Sequence, residues 1–389
     1  MVTTVGNRIL AASGTTVFVT NTRLAIEHGS VNLGQGFPDE GGPVSMMNFL
    51  ADYTHQQSNQ YPPMMGLPEL CQAVARHAER FYDLKLDWSG EVMVTSGATE
   101  ALASSLIGLL NPGDEAILIE PLYDAYLPLV RLTGATPVSI RLNPPDWSLD
   151  LDALKRAISP RTRVIVVNNP MNPTGKVFSR DELVAIAELA IANDIVVIAD
   201  EVYEHLVFDD LEHIPMMTLP GMRERCVRIG SSGKIFSLTG WKVGFISAAP
   251  ALLKTISRAH QFLVFTTPPN LQAAVAYGLD NEVEWYTSLA HRLQAQRDYL
   301  SDSLESLGFV VLPSRATYFL TVDIRAVSDD NDVSFCRTLT IDGGVTGVPV
   351  SAFYIGDAPD HLLRLCFCKD MSVLEDAVGR LRRWRTVAA

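Results

Sequence analysis

From about residue 90 the chain alternates short apolar runs with helical stretches, and this alternation restricts the possible fold more than any other feature. The run 195–199 contains no polar residue, as expected of a strand that is covered on both faces. Repeated alternation of strand and helix predicts an α/β fold with a mostly parallel sheet flanked by helices. The β-rich apolar runs lie at 92–95, 116–119, 136–140, 164–167, 195–199 and 227–230.

A different pattern begins after a long helical stretch at 283–307. Short strands separated by one helix predict a smaller α+β domain there, with strands at 309–312, 318–324, 345–350 and 362–368. We therefore predict an N-terminal arm that contributes to the small domain at 1–44, a large ligand-binding domain at 45–285 and a small C-terminal domain at 286–389.

Composition excludes several classes of partner. The 389 residues carry 44 acidic and 31 basic side chains, a formal net charge of −13, which argues against nucleic acid or an anionic membrane as the main partner. No apolar run reaches the roughly 18 residues of a membrane span, and the N-terminus lacks a secretion signal pattern. The odd number of cysteines, five, indicates reduced thiols in a cytoplasmic protein. Cys366 and Cys368 have no second Cys/His pair nearby, so we predict no metal site.

Two loops that follow predicted strands have residues suited to ligand binding, because ligands of open parallel sheets bind at the carboxyl ends of the strands. The segment 95–101 (TSGATEA) joins a strand to a helix, and its small residues leave helix N-terminal N–H groups accessible to a phosphate. The segment 168–175 (NNPMNPTG) is stiffened by two prolines and a glycine and presents Asn172. Taken alone, each loop is also compatible with a turn that binds nothing.

Two further loops carry charged residues. Asp200 follows an apolar run, and a carboxylate at a buried strand end needs a positive partner, either a protonated pyridine nitrogen or a structural Arg or Lys. Tyr203 is close enough in sequence to reach the same ligand. Lys234, one of seven lysines, follows a Ser-Ser-Gly turn, and a lysine in a dry pocket loses its proton readily and can attack an aldehyde. Neither Gly-Lys pair of the chain has the flanking residues of a nucleotide-binding P-loop.

Together, in this order and spacing, the four loops resemble those of the class I/II aminotransferases, enzymes of the pyridoxal 5′-phosphate (PLP) fold type I. The resemblance extends from the segment 32–39 (NLGQGFPD) to the segment 364–370 (RLCFCKD). The chain is most similar to the kynurenine/glutamine and methionine aminotransferase branch, and it also resembles N-succinyldiaminopimelate aminotransferases. This resemblance implies a seven-stranded sheet, PLP as cofactor with pyridoxamine 5′-phosphate as its intermediate form, and a homodimer with active sites shared across the interface.

The resemblance also implies roles for individual residues. It implies catalytic roles for Lys234, which binds the cofactor aldehyde and moves the substrate proton, for Asp200, which pairs with the pyridine nitrogen, and for Tyr203. It implies further cofactor contacts from Ala98, Thr99, Tyr123, Asn172, Ser231, Lys242 and, reaching the neighbouring subunit's cofactor, Tyr61. Substrate contacts are implied for Arg364, Gly36, Asn172, Phe18 and Phe353.

Three functions are compatible with these residues. The first is ping-pong transfer of an amino group from a kynurenine, glutamine, methionine or aromatic type of L-amino acid to a 2-oxo acid. The second is transamination of N-succinyl-LL-diaminopimelate with 2-oxoglutarate in lysine biosynthesis. Its second carboxylate needs further cations, for which Arg23, Arg131 and Arg315 are candidates. The third is β-elimination from cysteine conjugates by a PLP-dependent lyase.

Overall fold

A computed structural model describes residues 6–12 and 16–388 of the chain. Among these residues, no helix combines the length and the apolar composition needed to cross a membrane. The helices are α1 (Arg8–Ala12), α2 (Val17–His28), α3 (Val44–Gln56), α4 (Pro68–Tyr82), α5 (Gly97–Leu109), α6 (Tyr126–Leu132), α7 (Leu151–Ala157), α8 (Arg180–Ala192), α9 (Ser232–Ile235), α10 (Pro250–Leu263), α11 (Pro269–Asn281), α12 (Val283–Ser306), α13 (Asp332–Ile341) and α14 (Met371–Ala388). The strands are β1 (Val31–Asn32), β2 (Val92–Thr95), β3 (Glu115–Glu120), β4 (Thr136–Arg141), β5 (Thr162–Asn168), β6 (Val196–Asp200), β7 (Cys226–Ser231), β8 (Gly244–Ala248), β9 (Val310–Val311), β10 (Phe319–Asp323), β11 (Val345–Thr346), β12 (Val348–Pro349) and β13 (Leu362–Cys366).

The largest sheet has seven strands in the order β2-β8-β7-β6-β5-β3-β4. The ladders from β7 through β6, β5 and β3 to β4 are parallel, whereas β8 runs antiparallel to both of its neighbours. The prediction of a mostly parallel α/β sheet is therefore confirmed, and each of the six predicted runs forms one of its strands. The reversed strand β8 was not predicted.

The central strands are buried on both faces of this sheet. Along β6, Val197 and Ala199 pack into one apolar cluster while Ile198 packs into another on the opposite face. Along β5, Val164 and Val166 pack into one of these clusters, and Ile165 and Val167 pack into the other. Since successive side chains of a strand point to opposite faces, a strand between two helical layers has to be apolar throughout.

The C-terminal part contains a second, four-stranded antiparallel sheet in the order β12-β13-β10-β9. The N-terminal strand β1 pairs in parallel with β11, so the N-terminal part of the chain contacts the C-terminal part. Helix α12 coincides with the predicted stretch 283–307. The domain boundaries at 44/45 and 285/286 stay predictions.

Candidate active site

A cavity of about 210 Å³ lies at the carboxyl ends of the central strands. All four loops singled out in the sequence contribute to its wall, although they are far apart along the chain. The predicted residues that line it are Ala98, Thr99, Tyr123, Asn172, Asp200, Tyr203, Ser231, Lys234 and Lys242. The parallel arrangement of β5, β6 and β7 explains this convergence, because their carboxyl ends meet at one edge of the sheet.

Asp200 is the last residue of β6 and lines the cavity. Its Oδ2 accepts a hydrogen bond of 2.5 Å from the hydroxyl of Tyr126, while its buried Oδ1 has no hydrogen-bond partner among the described residues. Burial raises the pKa of this carboxyl to about 6, although the Tyr126 hydroxyl and the N–H of Val202 favour the ionised form. An unpartnered carboxylate oxygen in such a place is costly unless a cation meets it.

Another part of the cavity lining is an anion cradle. Helix α5 begins at Gly97, and the side chain of the preceding Ser96 makes no capping hydrogen bond within the described part of the chain. Gly97 has a positive φ of 73°, and a Cβ there would lie 3.4 Å from the Lys242 Nζ, so the missing side chain allows the ammonium to approach the helix end. Ser231 and Thr99 add hydroxyls to the same wall. Free N–H groups, a helix dipole and a lysine together favour a phosphate.

Lys234 also lines the cavity. Its Nζ donates a hydrogen bond to the hydroxyl of Tyr318. Burial lowers the pKa of this amine to about 8, against the opposing effect of Cys368, Cys366 and Asp200, which favour the charged form. A pKa near 8 leaves a useful fraction of the amine neutral, and therefore nucleophilic and basic, close to neutral pH.

Arg364 on β13 is buried and close enough to Lys234 to affect the pKa of its amine. Its Nη1 donates to Asn172 Oδ1 at 2.9 Å and its Nη2 donates to the carbonyl of Gly34 at 2.7 Å, whereas its Nε has no partner within the described ranges. Burial lowers the pKa of the guanidinium to about 10, so it stays protonated at neutral pH. Two hydrogen bonds hold the side chain in place and leave a charged donor for a carboxylate.

Aromatic rings surround this guanidinium. Its Cζ lies 4.0 Å from the ring centroid of Phe319, 5.2 Å from that of Phe18 and 5.1 Å from that of Phe353. Phe18 and Phe353 meet edge to face with their centroids 5.9 Å apart. Arg364 thus has aromatic rings around it, and the half-buried Asp124 is close enough for the guanidinium to oppose the rise that burial causes in the pKa of this carboxyl.

The family model "Aminotransferase class I and II" matches residues 29–381. The chain belongs to the class I and II aminotransferases. It is therefore a PLP-dependent aminotransferase, whose substrates are an amino acid and a 2-oxo acid, and the fold, the enzyme class and the cofactor predicted from the sequence are confirmed.

Several known aminotransferases are similar over nearly their whole length. A solved structure described as N-succinyldiaminopimelate aminotransferase from Mycobacterium tuberculosis is 44% identical, with a TM-score of 0.95 over 98% of this chain and 100% of that chain. Methionine aminotransferase of Escherichia coli (strain K12) is 39% identical over 95% of this chain and 96% of its own. Kynurenine–oxoglutarate transaminase 1 of Homo sapiens is 36% identical over 93% of this chain and 94% of its own.

The lining of the aminotransferase's cavity fits PLP at three points. The unpartnered oxygen of Asp200 matches the pyridine nitrogen, the amine of Lys234 matches the aldehyde, and the cradle beside Lys242 matches the phosphate. The three are chemically different, and each is complementary to one group of the cofactor.

The other predicted residues lie outside the lining of this cavity, including Arg364, Phe18 and Phe353. Tyr61 is 82% exposed and packs its ring edge to face against Phe265, with centroids 5.4 Å apart. The carbonyl of Gly36 accepts a hydrogen bond from Tyr318, while its N–H remains a candidate donor for substrate. The three arginines considered for a second carboxylate, Arg23, Arg131 and Arg315, are exposed side chains that do not line it.

Two residues of the aminotransferase site were not predicted. Tyr126 contacts Asp200, and Tyr318 contacts Lys234. Both hydroxyls are buried, and burial raises the pKa of each well above its usual value. A tyrosine within an otherwise apolar stretch is the available sequence signal, because a buried phenol usually has a hydrogen-bond partner.

A polar cluster outside the cavity lining contains His77, Glu204 and His205, which could together hold a metal ion. The two imidazoles are in direct contact, with their Nε2 atoms 2.7 Å apart, and Glu204 accepts hydrogen bonds from Arg228 and Tyr82. Burial lowers the pKa of His77 to about 3 and that of His205 to about 4. The guanidinium of Arg228 balances the charge of the Glu204 carboxylate, so the cluster needs no metal ion for charge balance, and the absence of a metal site stays a prediction.

Proposed function

We propose that the protein transfers the amino group of a bulky neutral or sulfur-containing L-amino acid, of the methionine, glutamine, kynurenine or aromatic type, to a 2-oxo acid. The observation that carries this proposal is that each positively charged side chain at or near the cavity already has a partner in the cofactor or in the substrate α-carboxylate. Among the described residues, Lys234 and Lys242 are the cations that line the cavity, and they serve the aldehyde and the phosphate. Arg364 lies outside that lining but close enough to affect the pKa of Lys234, and it serves the α-carboxylate. That assignment leaves no cation for a second carboxylate, and the aromatic rings beside Arg364 suit an apolar side chain. Asp124 next to Arg364 further disfavours an acidic side chain.

In this proposal each residue has a defined task. PLP, when bound, supplies the electron sink. Arg364 grips the α-carboxylate of the amino acid through two parallel hydrogen bonds and so orients the Cα–H bond. The neutral amine of Lys234 removes the Cα proton and delivers it again within the same cavity. The carboxylate of Asp200 keeps its cationic partner protonated, and Tyr203 and Asn172 hold the cofactor's phenolic oxygen.

The second candidate is transamination of N-succinyl-LL-diaminopimelate. It is supported by the 44% identity to the Mycobacterium tuberculosis structure described with that activity. It requires cations beyond those that line the cavity, which a neighbouring subunit or a substrate-induced movement would have to supply.

A panel of amino donors separates these candidates. We expect L-methionine, L-glutamine, L-kynurenine and L-phenylalanine to bleach the cofactor absorbance in a single half-reaction. Their rate constants should exceed that of N-succinyl-LL-diaminopimelate by at least about 10-fold, because an unpaired buried carboxylate is costly. The measurement is stopped-flow absorbance with the PLP-loaded enzyme and no 2-oxo acid. A faster reaction of the succinylated substrate would favour the second candidate, whereas pyruvate and ammonia from a cysteine conjugate would indicate a lyase.

We further propose that the enzyme is a cytoplasmic homodimer. Two large aromatic side chains are exposed, Phe262 at 85% and Tyr61 at 82%, and a second subunit would cover them. The five cysteines are all free, which agrees with a reducing compartment.

Replacing Tyr61 with phenylalanine tests the shared site. Because Tyr61 is exposed, the fold should be unaffected, while the loss of a hydrogen bond to the neighbouring subunit's phosphate should speed PLP release about 10-fold. Dialysis against PLP-free buffer, followed by absorbance, measures this rate, and size-exclusion chromatography with light scattering measures the mass. The half-buried Tyr299 offers a matched control as Tyr299→Phe. A monomer that retains PLP as firmly as the wild type would refute the shared site.

A further inference from the structure

The hydroxyl of Tyr318 joins two parts of the active site. Tyr318 directly precedes β10 and is 1% exposed. Its hydroxyl donates a hydrogen bond of 2.7 Å to the carbonyl of Gly36 and accepts one from Lys234 Nζ. The phenol proton is thus committed to a backbone carbonyl, so the oxygen faces the amine as an acceptor.

The surrounding structure holds this hydroxyl in place. The ring of Tyr318 packs edge to face against Tyr203, with centroids 5.2 Å apart and planes at 89°, and against Phe319 at 4.7 Å. Its backbone carbonyl accepts a hydrogen bond of 3.0 Å from the N–H of Phe367. The position of the hydroxyl is therefore determined by buried aromatic packing rather than by a surface loop.

The same loop also positions the substrate arginine. The carbonyl of Gly34 accepts from Arg364, and the carbonyl of Gly36, two residues on, accepts from Tyr318. A Cβ on Gly36 would lie 2.7 Å from the Phe319 ring, so the loop packs closely on β10. Lysine and arginine are thus held at a fixed spacing through one short backbone segment.

We propose that Tyr318 is a positioning residue whose hydroxyl holds the Lys234 amine whenever that amine is not bonded to the cofactor. The inference rests on the proposed function, in which Lys234 moves the substrate proton. It specifies the position of the Lys234 amine between removal and return of that proton. Among the hydrogen bonds of the described residues, Tyr318 is the side-chain partner of this amine. Tyr203 and Asn172 are assigned to the cofactor, and Asp200 to the pyridine nitrogen.

Loss of the Tyr318 hydroxyl should shift the pKa of Lys234 in one direction. The other titratable groups near the amine are Asp200 on β6, Arg364 and Cys366 on β13, Cys368 beyond it, and Tyr203. Removing the Tyr318 hydroxyl removes an acceptor that stabilises the ammonium in a buried place. The pKa of Lys234, about 8 in the wild type, should therefore fall.

The first test is the pH dependence of PLP recombination with the full-length Tyr318→Phe protein. Recombination requires the neutral amine, so its rate should rise with pH around a midpoint near 8 in the wild type and around a lower midpoint in the variant. Tyr286→Phe is the matched control, because Tyr286 is equally buried and its hydroxyl donates to the remote carbonyl of Leu279 at 3.3 Å. The control should keep the wild-type midpoint.

The second test uses the PLP-loaded enzyme. A poorly placed amine slows proton transfer, so Tyr318→Phe should lower kcat about 10-fold and raise the isotope effect of an α-deuterated substrate, with KM nearly unchanged. An unchanged pH midpoint together with an unchanged isotope effect overturns the proposal. If Lys234→Ala leaves turnover intact, the proposed function itself fails. If Lys234 is essential but Tyr318→Phe has no effect, only the positioning inference fails.

If Tyr318→Phe does not fold, a variant that keeps both the ring and its hydroxyl can be tested instead. Site-specific 3-fluorotyrosine at position 318 makes the phenol oxygen a weaker acceptor, and burial opposes ionisation of the phenol at this position. The recombination midpoint should move to lower pH, in the same direction as for Tyr318→Phe. A midpoint equal to that of the wild type contradicts the proposal.

Discussion

Replacing Lys234 with alanine is expected to abolish turnover while the fold remains intact. The substitution removes the covalent attachment point and the base together, and a positioned acid–base group alone contributes about 10²–10⁴-fold. We therefore expect kcat to fall by at least about 10⁴-fold. After borohydride reduction, intact-mass spectrometry should show cofactor bound covalently to the wild type but not to the variant, while circular dichroism shows the same secondary structure.

Lys254 on α10 provides a matched control, because it is an exposed lysine outside the cavity. Lys254→Ala makes the same chemical change and should retain wild-type turnover and covalent cofactor. Small primary amines added to Lys234→Ala should restore part of the lost rate, since they can carry the proton that the side chain normally carries. Wild-type turnover in Lys234→Ala would move the catalytic role to another group.

The strands and the loops that form the cavity could be predicted because their signals are local. A parallel strand between helical layers is apolar throughout, and β6 from Val196 to Ala199 shows this directly in the sequence. Once the strands are known, the loops at their carboxyl ends become candidates for ligand binding without any further information. Lys234, Asp200 and Asn172 were found in this way, and the structure places all three in one cavity wall.

Strand β8 could not be recognised because its direction depends on distant partners. It pairs antiparallel with β2, about 150 residues earlier in the chain, and with β7 just before it. A short apolar run carries no signal for its direction. Gly244 at its start is explained only by the fold, since a Cβ there would lie 2.7 Å from the backbone of Gly97 at the start of α5.

The contacts of Tyr126 and Tyr318 could not be predicted from the sequence for the same physical reason. Tyr126 reaches Asp200 across 74 residues, and Tyr318 reaches Lys234 across 84. Each hydroxyl gains its role only when packing brings it to a charged group, and a phenol in an apolar stretch predicts burial without naming its partner. Substrate choice is limited in the same way, because it depends on which cations surround Arg364 in space.

Asp200→Asn should be the second most damaging substitution. Asparagine has nearly the same shape, and its side-chain oxygen can still accept from Tyr126, so the fold should be retained. It lacks the negative charge that keeps a pyridine nitrogen protonated, and we expect a loss of about 10²–10³-fold in kcat, as for other preorganised electrostatic groups. Steady-state kinetics and PLP titration measure the two effects.

The pH dependence of PLP affinity distinguishes charge from shape at this position. The pKa of Asp200 is about 6 in the cofactor-free protein, so the carboxyl is protonated below that pH and ionised above it. Wild-type affinity for PLP should therefore fall as the pH is lowered from 7 to 5, whereas Asp200→Asn should show no such decrease. Tyr126→Phe is a control for the direction of the shift. It removes a hydrogen-bond donor that favours the ionised carboxylate of Asp200, so the pKa of that carboxyl should rise. The decrease in PLP affinity should then begin at a higher pH. Identical pH profiles for all three proteins would rule out Asp200 as the partner of the pyridine nitrogen.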